Sequence, residues 1–150
     1  MRTTAELDLP DCTPAALFEH VADLDRYPPW MRLVHRVERV ERPDEERPVW
    51  DVELRGRLGP LARSKRLRMM RTVYEPGRRA RFERVETDGR DVAEWELDAR
   101  VEATDDGARL VMELGYGGEL WGSGVLRRVL DDEIRRGRAA LRTLVNDPAG

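Results

Sequence analysis

The stretch TPAALFEHVADLDRYPPW, from Thr13 to Trp30, reads as a short capped helix that runs into a tight turn and ends on a tryptophan. Thr13 suits the N-cap, because its hydroxyl satisfies a free N–H of the first turn. Pro14 suits the next position, where its missing N–H costs nothing. Leu17, Phe18, Val21 and Leu24 then share one helical face. Pro28 and Pro29 cannot continue a helix, so Trp30 is delivered at a fixed place just after it.

Outward from this stretch the pattern becomes alternating. Trp50, Val52 and Leu54 are separated by Asp51 and Glu53; Trp95, Leu97, Ala99 and Val101 by Glu96, Asp98 and Arg100; Leu110, Met112, Leu114 and Tyr116 form a third such face. Period two with one polar side marks half-buried antiparallel strands. Turn residues punctuate the runs at 42–46, 56–60, 75–77, 87–89 and 105–107, and the Asp-Gly pairs are strong hairpin signals. With Ala5–Leu9 as an opening strand, the count is about seven. The last segment returns to helical spacing. Leu126, Leu130, Ile134, Gly137, Leu141 and Leu144 step by three or four, so a helix begins between Glu119 and Gly124 and ends near Asn146. At about 1.5 Å per residue it is about 35 Å long, enough to cross a small sheet.

The Thr13–Trp30 segment, followed by a strand meander and a long closing helix, resembles the signature of the START-like, polyketide cyclase/dehydrase (SRPBCC) superfamily. The resemblance extends over nearly the whole chain. It implies an α+β helix-grip fold: a curved seven-stranded antiparallel sheet wrapping a long C-terminal helix, with short helices after the first strand, as one domain over residues 1–150. It also implies an apolar cavity that binds a hydrophobic molecule such as a polyketide, lipid or quinone. Aromatase/cyclases of the superfamily hold a polyketide there and use a Ser and an Arg near the end of the fourth strand. Counted back from the Glu75-Pro76-Gly77 turn, this chain has Met70 and Thr72 at those places, while Ser64 and Arg66 lie farther back. The catalytic residues do not carry over.

Composition sets the outer bounds. The 150 residues carry a net charge of -3, which argues against general nucleic-acid binding. Mean hydropathy is -0.67, and no apolar run approaches the ~20 residues of a membrane span. The first residues lack an apolar signal core, and a single cysteine, Cys12, suits a reducing compartment; a cytoplasmic protein is expected. Two histidines, His20 and His35, supply little for a zinc site, and no phosphate-binding glycine loop occurs, so no metal and no organic cofactor are expected. His20 is expected to face solvent or cap the first helix. The glycines between 115 and 124 read as a passage from the last strand into the helix, with a gating role as an alternative.

The candidate ligand-binding residues are Trp30, Trp50, Met70, Phe82, Arg84, Trp95, Met112 and Tyr116. Trp50, Phe82, Trp95, Met112 and Tyr116 alternate with polar neighbours and are placed on the concave side. Arg84 shares the parity of Phe82, so it is paired, at the rim, or facing ligand. The strand around Ala62–Tyr74 has two open phases: one turns Leu67, Met69, Arg71 and Val73 inward, the other Ser64, Arg66, Arg68, Met70 and Thr72. Between Arg55 and Arg84 stand eleven basic residues and two acids, Glu75 and Glu83, flanked by acidic segments. In a meander this predicts a cross-strand ion-pair ladder; the sharper alternative is a dock for an acyl carrier protein. Three functions follow: a module that binds a hydrophobic small molecule, a cyclase/dehydratase using Arg84 or a strand-four arginine, or a protein-interaction adaptor. A monomer or a homodimer is expected.

Overall fold

A computed structural model describes residues 2–58, 61–85, 94–117 and 123–146. Strand β1 (Arg2–Pro10) precedes helix α1 (Pro14–Glu19) and a 3-10 turn at Leu24–Arg26. Strands β2 (Val34–Val40), β3 (Val49–Leu58), β4 (Leu61–Glu75), β5 (Arg79–Arg84), β6 (Trp95–Ala103) and β7 (Gly107–Tyr116) follow, and helix α2 (Ser123–Asn146) closes the chain. The sheet order is β1-β7-β6-β5-β4-β3-β2, all antiparallel. This is the expected helix-grip α+β arrangement. The hairpin expected at 87–89 and most of the glycine passage into α2 lie outside the described residues.

Local chemistry explains the opening. Thr13 caps α1, its hydroxyl accepting from Ala16 N–H at 3.1 Å, with Pro14 as the first helical residue. The helix stops at Glu19, however, and does not run on towards Pro28. Leu17, Phe18, Val21 and Leu24 are all buried, with the last two carried on a turn and a short 3-10 segment. Burial of these side chains decides the path here, more than helical continuity.

Strand β4 runs for 15 residues, and its phase is set by two features. Leu58 pairs with Leu61, so Trp50 stands opposite Met69, Val52 opposite Leu67 and Leu54 opposite Lys65. Directly opposed residues share a face. Leu67, Met69 and Arg71 therefore point to the concave side, whereas Arg66, Arg68 and Met70 point to the convex side. Between Arg71 and Val73 the β4–β5 register slips by one residue, and Tyr74, not Val73, is the residue opposed to inward-facing Ala80. Such a bulge inverts parity along the strand. Strand β3 also runs through Gly56, where sequence suggested a turn.

Helix α2 lays Leu130, Ile134, Gly137 and Leu141 into the core. A Cβ at Gly137 would collide with the carbonyl oxygen of Trp30, so glycine is what lets the helix meet that backbone. Ion pairs of Arg32 with Glu133 (3.3 Å) and Arg142 with Asp11 (3.6 Å) hold α2 to the N-terminal segments. On the convex face the expected ladder is present. Arg2 meets Glu96 and Glu113, Arg79 meets Asp98 at 2.5 Å, Arg81 meets Glu96, and Arg68 meets Asp51 at 2.8 Å. The exposed pairs among them each contribute about 0–1 kcal/mol.

Candidate ligand-binding face

The register assembles one cross-strand row on the concave face. Trp50 of β3 is opposite Met69 of β4, Met69 is opposite Arg84 of β5, and Trp95 of β6 is opposite Tyr116 of β7. Arg84 and Trp95 take the next facing positions after the Glu83–Glu96 pair, which completes the row. Four of the candidate residues, Trp50, Arg84, Trp95 and Tyr116, thus stand side by side. Met70 does not join them. It is opposite Val49 and Glu83 on the convex side, and Met69 holds the inward position. Alternation counted back from the Glu75-Pro76-Gly77 turn selects Met70, because alternation has no means of registering the bulge.

The other candidates belong to a packed half of the same face. Phe82 and Met112 are wholly buried, together with Ala80, Ala99 and Leu110. Trp30 is stacked on Tyr27 at 4.9 Å, and its indole N–H donates to the carbonyl of His20 at 3.2 Å. Tyr27 reaches the edge of Phe82 at 6.2 Å, and Phe82 meets Trp50 at 5.7 Å. This chain of rings runs from the turn after α1 to the centre of the sheet. Arg71 seals its outer side, donating to the Ala22 carbonyl at 3.0 Å and to Asp23 at 2.6 Å while lying over the Tyr74 ring at 4.0 Å.

Towards the far end of the sheet the face loosens. There Lys65, Arg84 and Leu97 are only half-buried, beside Leu54, Leu67, Met69 and Leu114, which are buried. Trp95 stacks with Tyr116 at 5.5 Å, and the Lys65 ammonium lies 5.9 Å from the Trp95 ring centre. Among the described residues neither Trp50 Nε1 nor Trp95 Nε1 has a hydrogen-bond partner, although both are buried. A buried donor left without an acceptor costs about 1–3 kcal/mol. Burial raises the Tyr116 phenol above its usual value, so it remains a neutral hydroxyl. Lys65, the chain's one lysine, was legible as a residue but not as an inward one; its opposition to Leu54 supplies that.

The face is also sorted by charge. All eleven carboxylates of the described strands (Glu6, Asp8, Glu38, Asp51, Glu53, Glu75, Glu83, Glu96, Asp98, Glu102 and Glu113) stand on the convex side. The concave positions of the register hold Arg63, Lys65, Arg71 and Arg84, with Arg39 at the exposed edge. Ser64 and Arg66, which have the spacing of a cyclase pair, are outside: they oppose Arg55 and Glu53 on the convex side.

Residues 2–146 match the family model described as polyketide cyclase/dehydrase and lipid transport. The chain belongs to that family. Solved structures agree on the fold. TTHA0849 from Thermus thermophilus is 18% identical with a TM-score of 0.71, covering 97% of each chain. The di-domain ARO/CYC StfQ from the steffimycin biosynthetic pathway is 16% identical with a TM-score of 0.67, covering 99% of this chain and 51% of StfQ. A START superfamily protein from Mycobacterium smegmatis is 14% identical with a TM-score of 0.64, covering 97% of this chain and 95% of that one. No curated protein matches the sequence. Among the described residues of this family member, no helix is long and apolar enough to cross a membrane.

His20 lies away from this face, as the C-cap of α1, and is buried at 8% exposure instead of facing solvent. Burial, then the charge of Arg26, lower its pKa from 6.5; Glu19 and a hydrogen bond to the Leu144 backbone oppose them. As pH falls through 6.5 the unfolded chain therefore takes the proton first, and stability is lost. Urea unfolding between about pH 7 and pH 5.5 should show this loss. His20→Gln should flatten the slope, and an unchanged slope would assign the titration elsewhere.

Proposed function

We propose that this protein binds one apolar, ring-bearing small molecule on the loosened half of the concave face, against Leu54, Leu67, Met69, Trp95, Leu114 and Tyr116. The observation that carries this is the cross-strand row, in which aromatic and thioether walls flank an inward cation amid apolar neighbours. Ligand sites have this composition, mostly apolar with a few placed polar groups. Family membership supports a hydrophobic ligand, a polyketide or a lipid. Trp50 forms the floor, and Trp30, Phe82 and Met112 support it from the packed half without touching the ligand.

Binding is favoured over cyclase or dehydratase chemistry by the inventory of the face. The strand residues that the register pairs on this face include no carboxylate, histidine or serine, so Lys65, Tyr74 and Tyr116 are the side chains there that could exchange a proton. On the convex face Arg68, Arg79 and Arg81 are drawn into the ion-pair ladder, and no observation specifically supports a carrier-protein dock.

The neutral dye N-phenyl-1-naphthylamine tests the reading. It should bind one-to-one with enhanced fluorescence. Leu114→Trp, which fills the loosened half, should block the dye while the melting temperature stays within a few degrees. No dye binding by the wild type overturns the proposal. A large drop in melting temperature on Leu114→Trp also overturns it, because the space would already be filled by protein.

A further inference from the structure

We infer that the ligand carries a carbonyl oxygen on its ring system, as a ketone or quinone does, and that the Trp95 indole N–H donates a hydrogen bond to it. This rests on the proposed binding at the concave face and goes a step further, from an apolar ring system to one oxygenated at a defined place. Buried indole N–H groups normally find an acceptor. Trp30 does so, donating to the His20 carbonyl at 3.2 Å. Trp50 and Trp95 do not. Both are buried, at 0% and 3% exposure, and neither Nε1 has a hydrogen-bond partner among the described residues. The two stand in one cross-strand row on the concave face, whereas the strand carboxylates that could accept from them stand on the convex face.

The two donors differ in setting. Trp50 is wholly buried and meets Phe82 edge-on, at the border of the packed half. Trp95 belongs to the loosened half, where its ring lies 5.5 Å from that of Tyr116 and half-buried Arg84 takes the adjoining place in the row. A ring system lying on Leu67, Met69 and Leu114 therefore meets Trp95. Indole N–H is a donor only, so a hydrocarbon edge leaves it unsatisfied. A ketone or quinone oxygen accepts from it and, unlike a hydroxyl, has no proton of its own to place. Three strand spacings, about 14 Å of backbone, separate Trp95 from Trp50. A ligand long enough to span them meets a second donor of the same kind, which a second carbonyl at its far end satisfies. A site built to donate a hydrogen bond discriminates against the analogue that cannot accept one, because the donor is then left buried and unpaired.

Fluorenone and fluorene share a rigid three-ring frame and differ by one carbonyl group, and displacement of N-phenyl-1-naphthylamine reads the affinity of each. The wild-type protein should bind fluorenone about tenfold more tightly. An apolar surface alone would favour fluorene, the more hydrophobic of the two. Trp95→Phe keeps an aromatic ring without the donor and should bring the two affinities to within about twofold. In nitrogen-15-labelled protein, the indole resonance lost in Trp95→Phe identifies Trp95. Fluorenone should move that resonance farther downfield than fluorene does, while the Trp30 indole, already bonded to His20, stays in place. Fluorene binding as tightly as fluorenone, an unmoved Trp95 resonance, or displacement of the dye by neither compound overturns this inference while the dye site stands. A wild-type protein that binds no dye removes the site itself. The wild-type preference requires no variant, so misfolding of a substituted protein does not blunt the test.

Discussion

Ile134→Asp is expected to lower the melting temperature by about 10 °C or more, corresponding to a loss of about 4 kcal/mol in a chain of this size. Ile134 is 4% exposed and belongs to the buried stripe of α2 with Leu130, Gly137 and Leu141. The helix has no other source of comparable strength. Its ion pairs to Asp11 and Arg32 are largely exposed on at least one partner and contribute little. An aspartate at 134 loses the transfer free energy of the isoleucine and also brings a carboxylate into a region where the neighbouring strands present apolar side chains. The effect should be much larger than that of Asp132→Ala on the solvent side, within about 0.5 kcal/mol of wild type. Thermal unfolding followed by far-UV circular dichroism provides the measurement. A shift of only a few degrees for Ile134→Asp would mean that α2 is not the wall of the core.

The extent to which sequence carried this structure differs between elements, for physical reasons. Helix α2 was legible to within a residue or two, because a 24-residue amphipathic pattern repeats its evidence over many turns. Strands β6 and β7 were legible because apolar residues recur at every second position in each. Strand β4 was not, because it alternates arginine with leucine or methionine in a way that suits either phase. Its register is set by the Leu58–Leu61 pairing at one end and by the one-residue slip near Thr72 at the other. The first signal was available, since Gly59-Pro60 read as a two-residue turn gives the Trp50–Met69 opposition. The slip left no mark in composition, and it converts Met70 from a wall residue into a convex one. Of the candidate site, the aromatic members were readable by parity and Arg84 by its distance of two from Phe82. Lys65 was not, because the significance of one lysine among 26 arginines appears only when the register turns it inward.

Phe82→Ala is expected to cost about 3–5 kcal/mol, and so to lower the melting temperature by about 10 °C, while Arg84→Met, two residues along the same strand and face, should leave it unchanged or raise it. The contrast follows from where each side chain lies. Phe82 is completely buried and touches Tyr27 and Trp50 edge-on, at 83° and 68° between ring planes. Its removal leaves a cavity between rings that are fixed from several sides. Tyr27 is anchored through its hydroxyl to the Val21 carbonyl at 2.9 Å, and Trp30 through its indole to His20, so neither can collapse into the gap. Cost rises with the volume that stays empty. Arg84 is half-buried in the loosened half, and methionine retains its apolar length there. Together the two variants locate the boundary between the part of the face that holds the fold together and the part that is kept for a ligand. A loss below about 1 kcal/mol for Phe82→Ala would move that boundary. The space for ligand would then extend past Phe82 to the rings behind α1, and Trp30 would return to the set of ligand contacts.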